Sequence, residues 1–389
     1  MERFSNLKKN NIDYLFLLGS RGEWGYIRPL IEYCKKNKIN YGICLTNMVV
    51  IPEYGIDGIS LGQKIINEGY NVVDNIEMSL EGSTHFTMFK SLSLMGLNFI
   101  ETLKRLNPKF LILAGDRGEQ LIGAIAAAYS YIPIAHIQAG EKSGNIDGTT
   151  RHAIARFAHL HFASNKDAAD RLIKSGEEKF RIFNVGAPQL DEIKNKKYSS
   201  LSKLKEKFKK IDFNKFLLVI FHPVTEEYNE TSRNIKNLLS ALKKFKMDKV
   251  WILPNNDAGS SIIKNEILLS RDIKSHIFSN LDRELYFGLI KEIKLVVGNS
   301  SSGIIETPSF NKVSVNIGNR QNGRYQSKLT LNSTYKTSDI FNTIRKGLTI
   351  KNKKKTRNPY GDGNSTEKIF KILKTQNHGK KLLIKKITI

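Results

Sequence analysis

The most constraining feature of this chain is a repeated unit. A short run of continuously apolar residues is followed by a glycine-containing or polar turn, and then by an amphipathic stretch. Tyr14–Leu18, Tyr41–Leu45, Phe110–Ala114 and Ile132–Ile137 are such runs in the first half. Phe216–Phe221, Val250–Leu253, Leu295–Val297 and Val313–Ile317 follow in the second. A strand that is apolar at every position has no face to give to water, so it belongs in a parallel sheet covered on both sides. Helical spacing between the runs, at Ile27–Cys34, Leu121–Tyr129, Ile235–Phe245 and Phe86–Leu106 (closed by Asn107-Pro108), supplies that cover. The expected class is therefore α/β, with two doubly wound, Rossmann-like domains in tandem.

A length of 389 residues favours two domains, and 40% hydrophobic residues is ample for their cores. The stretch Asp191–Asp212 is Lys-rich and polar. It places the boundary near residue 190, giving domains 1–190 and 191–375. A helix over Ser365–Leu373 is expected to return to the first domain, and the basic tail 376–389 to fray. Ligands in such sheets bind beyond the carboxyl ends of the strands. Those ends are where chemistry is sought.

Composition removes several function classes. No run of 18 apolar residues exists, so no membrane span is expected. The start, MERFSNLKKN, lacks an apolar signal core. Cys34 and Cys44 are the only cysteines and form no CxxC pair, which fits free thiols in a reducing, cytoplasmic setting. With 62 Lys+Arg against 37 Asp+Glu the formal charge is +25. The lysines are spread over many helices and the tail rather than interleaved with aromatics on one surface, so no nucleic-acid partner is expected.

Six strand ends carry suggestive residues. Gly19-Ser20-Arg21-Gly22-Glu23 suits an anion through its turn and Arg21, although a surface arginine on a tight turn fits equally. Gly115-Asp116-Arg117-Gly118-Glu119 puts a carboxylate where an acid or base would stand, and Asp116 is also placed to cap a helix. His136-Ile137-Gln138-Ala139-Gly140-Glu141, followed by Asp147 and Arg151-His152, concentrates acids and amides in a loop loosened by glycines. Its histidines have no metal-ligand spacing, so no metal is expected. His222-Pro223 ends one strand of the second half, and Pro254-Asn255-Asn256-Asp257 ends the next or forms a plain turn. Gly298-Asn299-Ser300-Ser301-Ser302-Gly303 precedes a helix and has more hydroxyls than a cap requires. This points to a diphosphate, with Glu306 suited to ribose hydroxyls and Arg320 and Arg324 as countercharge.

The strings GSRGEW, GDRGE, HIQAGEKSGNIDGTTRHAI, FHP, PNNDAG, GNSSSGIIE and NIGNRQNGR occur in this order over residues 12–330. Together they resemble the hydrolysing UDP-N-acetylglucosamine 2-epimerases, in particular the sialic- and legionaminic-acid branch. The resemblance implies a GT-B arrangement, no cofactor, and a homodimer or homotetramer. It also implies conversion of UDP-N-acetylglucosamine and water to N-acetylmannosamine and UDP through a glycal. A UDP-N,N′-diacetylbacillosamine 2-epimerase is the alternative within the family. A GT-B glycosyltransferase or a non-catalytic sugar-nucleotide binder is the alternative outside it. By position, Arg21, Arg117, His222, Asn255, Ser300, Ser301, Ser302, Gly303, Glu306 and Arg320 are the substrate-binding candidates, and Asp116, Gln138, Glu141 and Asp147 the catalytic ones. The chain departs from the pattern at Gln138, where the family has a glutamate, at Val49 in place of a histidine, and at Tyr26 in place of a lysine of some members. All three touch the sugar side, and Glu141 is the carboxylate able to substitute for position 138.

Overall fold

The computed structural model describes residues 12–80, 84–350, 356–376 and 380–388. Seven strands form the first sheet: β1 Tyr14–Leu18, β2 Tyr41–Thr46, β3 Val72–Ile76, β4 Phe110–Ala114, β5 Ile134–Ala139, β6 Leu160–Ala163 and β7 Ile182–Asn184. Six form the second: β8 Phe216–Ile220, β9 Asp248–Ile252, β10 Ser275–Phe278, β11 Leu295–Gly298, β12 Ser314–Ile317 and β13 Thr330–Ser333. The orders are β3-β2-β1-β4-β5-β6-β7 and β10-β9-β8-β11-β12-β13. Every pairing is parallel. Both sheets therefore reverse direction of winding between their first and fourth strands, at β1/β4 and β8/β11. A crevice opens at such a point. The expected pair of Rossmann-like sheets in a GT-B arrangement is what the chain forms.

The continuous apolar runs are the sheet centres. β1, β4 and β8 are buried at every position. Leu15 and Leu17 face one apolar layer with Phe99 and Leu113, while Phe16 and Leu18 face the other with Ile27 and Leu30. Of the strands that the sequence pattern does not show, β3, β7, β10 and β13 lie at sheet edges and are only partly buried, while β6 is buried between β5 and β7. Half-exposed edges tolerate polar residues, which erases the apolar signature.

The polar stretch carries helices, and the tail does not fray. The polar stretch 191–212 contains the helix Leu201–Lys207 and most of Gln189–Lys194, in which Leu190, Asp191 and Glu192 are buried. Residues 380–388 are also held rather than frayed. The buried Arg181 guanidinium donates to the carbonyls of Leu382 (2.7 Å), Ile384 (2.8 Å) and Lys381 (3.2 Å). Lys385 reaches the buried Glu177 at 2.8 Å, and Glu177 also meets His161 at 3.1 Å. A basic tail looks soluble in sequence, but here it closes over a buried charge cluster. Just before it, the helix Ser365–Thr375 lies on the helix Arg21–Lys36, with Phe370 stacked on Tyr33 at 4.5 Å.

Candidate active site

A cavity of about 770 Å³ lies between the sheets, lined by the residues that follow β1, β4, β8, β10, β11 and β12. Ser20 caps the helix Arg21–Lys36, and the Glu23 carboxylate accepts from the amides of Gly19 (2.7 Å) and Ser20 (3.0 Å). The turn thus satisfies its own backbone and leaves Arg21 to cross the cleft. Arg21 donates to the Leu253 carbonyl (3.1 Å) and Asn255 Oδ1 (3.0 Å), and also to the Ser279 carbonyl. Burial lowers its guanidinium to about 10, so it stays cationic at neutral pH. Arg117 crosses the same gap to Asp257 at 2.9 Å. Burial alone would raise the Asp257 carboxyl, but Arg117 and Arg320 hold it below its ordinary value.

Two carboxylates share the first-domain wall. Asp116 follows β4 through Gly115, whose φ of +86° suits glycine. It accepts from Arg151, which is fully buried and also donates to the Glu141 carbonyl (3.1 Å) and Ser143 Oγ (3.0 Å). Asp147 stands in the first turn of the helix Ile146–Phe157, accepting from Asn145 Nδ2 (2.8 Å) and 3.6 Å from Arg320. Burial and then the charge of Asp116 push its carboxyl up to about 6, against the pull of Arg320.

The facing wall belongs to the second sheet. Gly298 has φ +136°, and a Cβ there would overlap the Ile220 carbonyl, so this turn admits only glycine. Asn299 locks the serine loop to the end of β8: its side chain accepts from the His222 amide (2.7 Å) and donates to the His222 carbonyl (2.8 Å). His222 Nδ1 accepts from the Asn255 amide at 3.4 Å, which leaves Nε2 as a donor. Burial, then Arg320, lowers its basicity well below the ordinary histidine, so the ring is neutral. Ser300, Ser301 and Ser302 line the cavity, and Tyr286 donates to Ser302 Oγ at 2.5 Å. The helix they open, Ser302–Ile305, has four residues. That is too short for the dipole expected from sequence, so anion affinity there rests on amides, hydroxyls and arginines. Glu306 is buried, and its Oε2 has no hydrogen-bond partner among the described residues.

The cavity thus brings together Arg21, Asp116, Arg117, Asp147, His222, Asn255, Ser300, Ser301, Ser302, Glu306 and Arg320. It does not include Gly303, Gln138 or Glu141. Gly303 lies behind the loop, its carbonyl accepting from Ser314 Oγ at 2.6 Å. Gln138 has φ +61° at the irregularity between β5 and β6, and its amide donates to Gln189 Oε1 at 3.1 Å. Glu141, 2% exposed, accepts from Ser164 and pairs with Arg324 at 3.3 Å; Arg324 is the side chain that reaches the cavity. His136 bonds the Gly115 carbonyl at 2.7 Å, and burial lowers it to about 3. Among the described residues no cluster of three or more His, Cys, Asp or Glu could hold a metal, and no helix is long and apolar enough to cross a membrane.

A family model described as UDP-N-acetylglucosamine 2-epimerase matches residues 32–374. The chain belongs to the UDP-N-acetylglucosamine 2-epimerase family. Among curated relatives, it is 32% identical to the UDP-N,N′-diacetylbacillosamine 2-epimerase (hydrolyzing) of Legionella pneumophila, over 93% of this chain and 95% of that one. It is 29% identical to the UDP-N-acetylglucosamine 2-epimerase of Neisseria meningitidis, over 86% and 87%. The solved structure of the Methanocaldococcus jannaschii UDP-GlcNAc 2-epimerase in complex with UDP-GlcNAc and UDP shares the fold, with a TM-score of 0.78 and 19% identity over 94% of this chain and 100% of that one.

Two residues of this epimerase-family cavity, Tyr286 and Arg283, escaped the sequence reading, and so did the role of Asp257 as the ion-pair partner of Arg117. Tyr286 and Arg283 follow β10, a half-exposed edge strand without an apolar run, so the strand end that would have flagged them is not visible in sequence. Asp257 was in view, but within a segment that also reads as an ordinary turn.

Proposed function

We propose that this chain is a hydrolysing 2-epimerase of a UDP-linked 2-acetamido sugar. Its foremost substrate is UDP-N,N′-diacetylbacillosamine, and UDP-N-acetylglucosamine is the second reading. The observation that carries the reaction type is the pair Asp116 and Asp147, each beside its own arginine, facing a wall of serines, His222 and Glu306. The ranking of sugars rests on the 32% identity to the Legionella relative, and the second reading on the Neisseria relative and the family description.

The chemistry follows from the two walls. The serine loop, His222 and Arg320 take the diphosphate, and Glu306 takes the ribose hydroxyls. Asp116, held by Arg151, removes the proton at carbon 2 while the carbon 1–oxygen bond breaks and its electron pair leaves with UDP. A glycal remains. Water then adds at carbon 1, and a proton returns to carbon 2 from the opposite face. Asp147, whose carboxyl holds a proton closer to neutrality than an ordinary aspartate, delivers it. Glu141 acts through Arg324 rather than on the sugar.

The test is incubation with each sugar nucleotide in heavy water, without acceptor. Free UDP and a free sugar with inverted carbon 2 carrying deuterium are expected, at a higher kcat/KM for the diacetylated substrate. An epimer still attached to UDP would refute hydrolysis. A requirement for an acceptor would indicate a glycosyltransferase, and faster turnover of UDP-N-acetylglucosamine would reverse the two sugars.

A further inference from the structure

The motif GSRGEW is followed by a third glycine, Gly25, that the site chemistry leaves unexplained. Gly25 is buried inside the 16-residue helix Arg21–Lys36. Glycine is a poor helix residue, and Gly25 has no positive φ to require it. What it provides is space. A Cβ at Gly25 would overlap the Arg283 guanidinium, with Arg283 Cζ at 2.8 Å.

Arg283 comes from the second sheet's side of the cleft, in the first turn of the helix Arg283–Glu292. Its guanidinium lies 4.4 Å over the Phe287 ring, and its Nε pairs with the buried Glu192. Nη2 stands 4.0 Å from Glu306 Oε1 and has no hydrogen-bond partner among the described residues. Glu306 Oε2 is likewise unpartnered and buried. Glu192 thus fixes one edge of the guanidinium, Phe287 supports its face, and Gly25 gives it room. The edge that remains faces Glu306 across a gap slightly too long for a hydrogen bond.

We infer that Arg283 is a positioning residue for nucleotide recognition: seated against Gly25 by Glu192 and Phe287, it holds the Glu306 carboxylate charged and turned so that both oxygens accept the ribose hydroxyls. The inference rests on the reading of Glu306 as the ribose acceptor. It explains why a helix interior keeps a glycine, and it makes ribose recognition depend on contact between the two domains.

Calorimetry with UDP and with 2′,3′-dideoxy-UDP tests it on the full chain, for the wild type, Arg283→Met and Gly25→Ala. Two hydroxyl bonds to a carboxylate give the wild type about a hundredfold preference for UDP. Both variants are expected to fall below about tenfold, with dideoxy-UDP affinity unchanged within about twofold. Gly25→Ala keeps the arginine and improves the helix, so a loss of preference there with an unchanged or raised Tm cannot be unfolding. Retained preference in either variant, or an equal loss on both ligands, overturns the inference. A wild type without preference overturns the ribose role of Glu306 and the inference with it. None of these readings depends on turnover, so they stay separate from the test of the reaction itself.

Discussion

Asp147→Asn is expected to make the protein more stable and inactive. The Asp147 carboxyl lies at about 6 rather than 3.8 because burial and Asp116 disfavour its charge. A raised carboxyl value means that the folded chain binds the proton more tightly than the unfolded one. Stability is therefore lost as pH rises from about 4 through about 6, and the whole penalty is present above that. The gap between the two values corresponds to about 3 kcal/mol as an upper bound. The Asp147 side chain is 24% exposed, and solvent screening at that exposure reduces the figure to about 1–2 kcal/mol. Asparagine has the same shape, can still accept from Asn145, and carries no charge to bury. Urea denaturation at pH 7.5 should show the variant more stable by this amount, and the advantage should shrink steadily as pH falls from about 6 through about 4, where the wild-type carboxyl takes up its proton in both states. Turnover should fall by about a hundredfold or more, as loss of an acid or base does. In the wild type, a step that uses Asp147 as acid should weaken as pH rises above about 6. A variant no more stable at pH 7.5, or equally advantaged at about pH 4, would refute the account of Asp147 as a destabilised catalytic carboxyl.

Truncation after residue 379 should cost about 3–5 kcal/mol in denaturant unfolding, because it removes three carbonyls from the buried Arg181 and Lys385 from Glu177. UDP affinity should be unchanged, and undiminished stability would show that the tail is not held. Gln138→Glu should destabilise by about 1–3 kcal/mol by placing a buried carboxyl beside Gln189. It should not raise kcat/KM on UDP-N-acetylglucosamine. A rise would mean that position 138 acts on the sugar despite lying outside the cavity.

The legible part of this protein is the part whose physics is local. β1, β4 and β8 are buried at every position, so each announces itself as an unbroken apolar run. The turns after them open on the cavity, and Arg21, Asp116 and His222 could be named as candidates from strand order alone. Edge strands such as β10 obey no such constraint, and with β10 went Arg283 and Tyr286. Burial of charge was equally hidden. Nothing in the string RHAI marks Arg151 as fully buried, since its partners Asp116 and Glu141 become neighbours only when β4 and β5 pair. Gln138 and Glu141, by contrast, do not line the cavity. Their place at the carboxyl end of β5 fits catalysis, but the left-handed backbone at Gln138 accompanies a side chain bonded to Gln189 rather than one lining the cavity.

The loop after β5 also shows why neither half of the chain is a complete site. The Gly144 amide donates to the Arg320 carbonyl at 3.0 Å, and a side chain at Gly144 would meet Asn319 and Asn322. Arg324 holds the Glu141 carboxylate at 3.3 Å and the Lys142 carbonyl at 3.4 Å. Arg320 then stands 3.6 Å from Asp147 and 3.3 Å from the Asn299 carbonyl of the serine loop. The acidic loop of the first sheet is thus fastened by the arginine loop that follows β12. Arg320 cannot be assigned to the serine loop alone, because the same guanidinium opposes the rise that burial and Asp116 impose on the Asp147 carboxyl. Under the proposed mechanism, a diphosphate that drew Arg320 toward the serines would remove the cation that opposes protonation of Asp147, and binding of the leaving group would then favour the protonated acid that the return of hydrogen to carbon 2 requires.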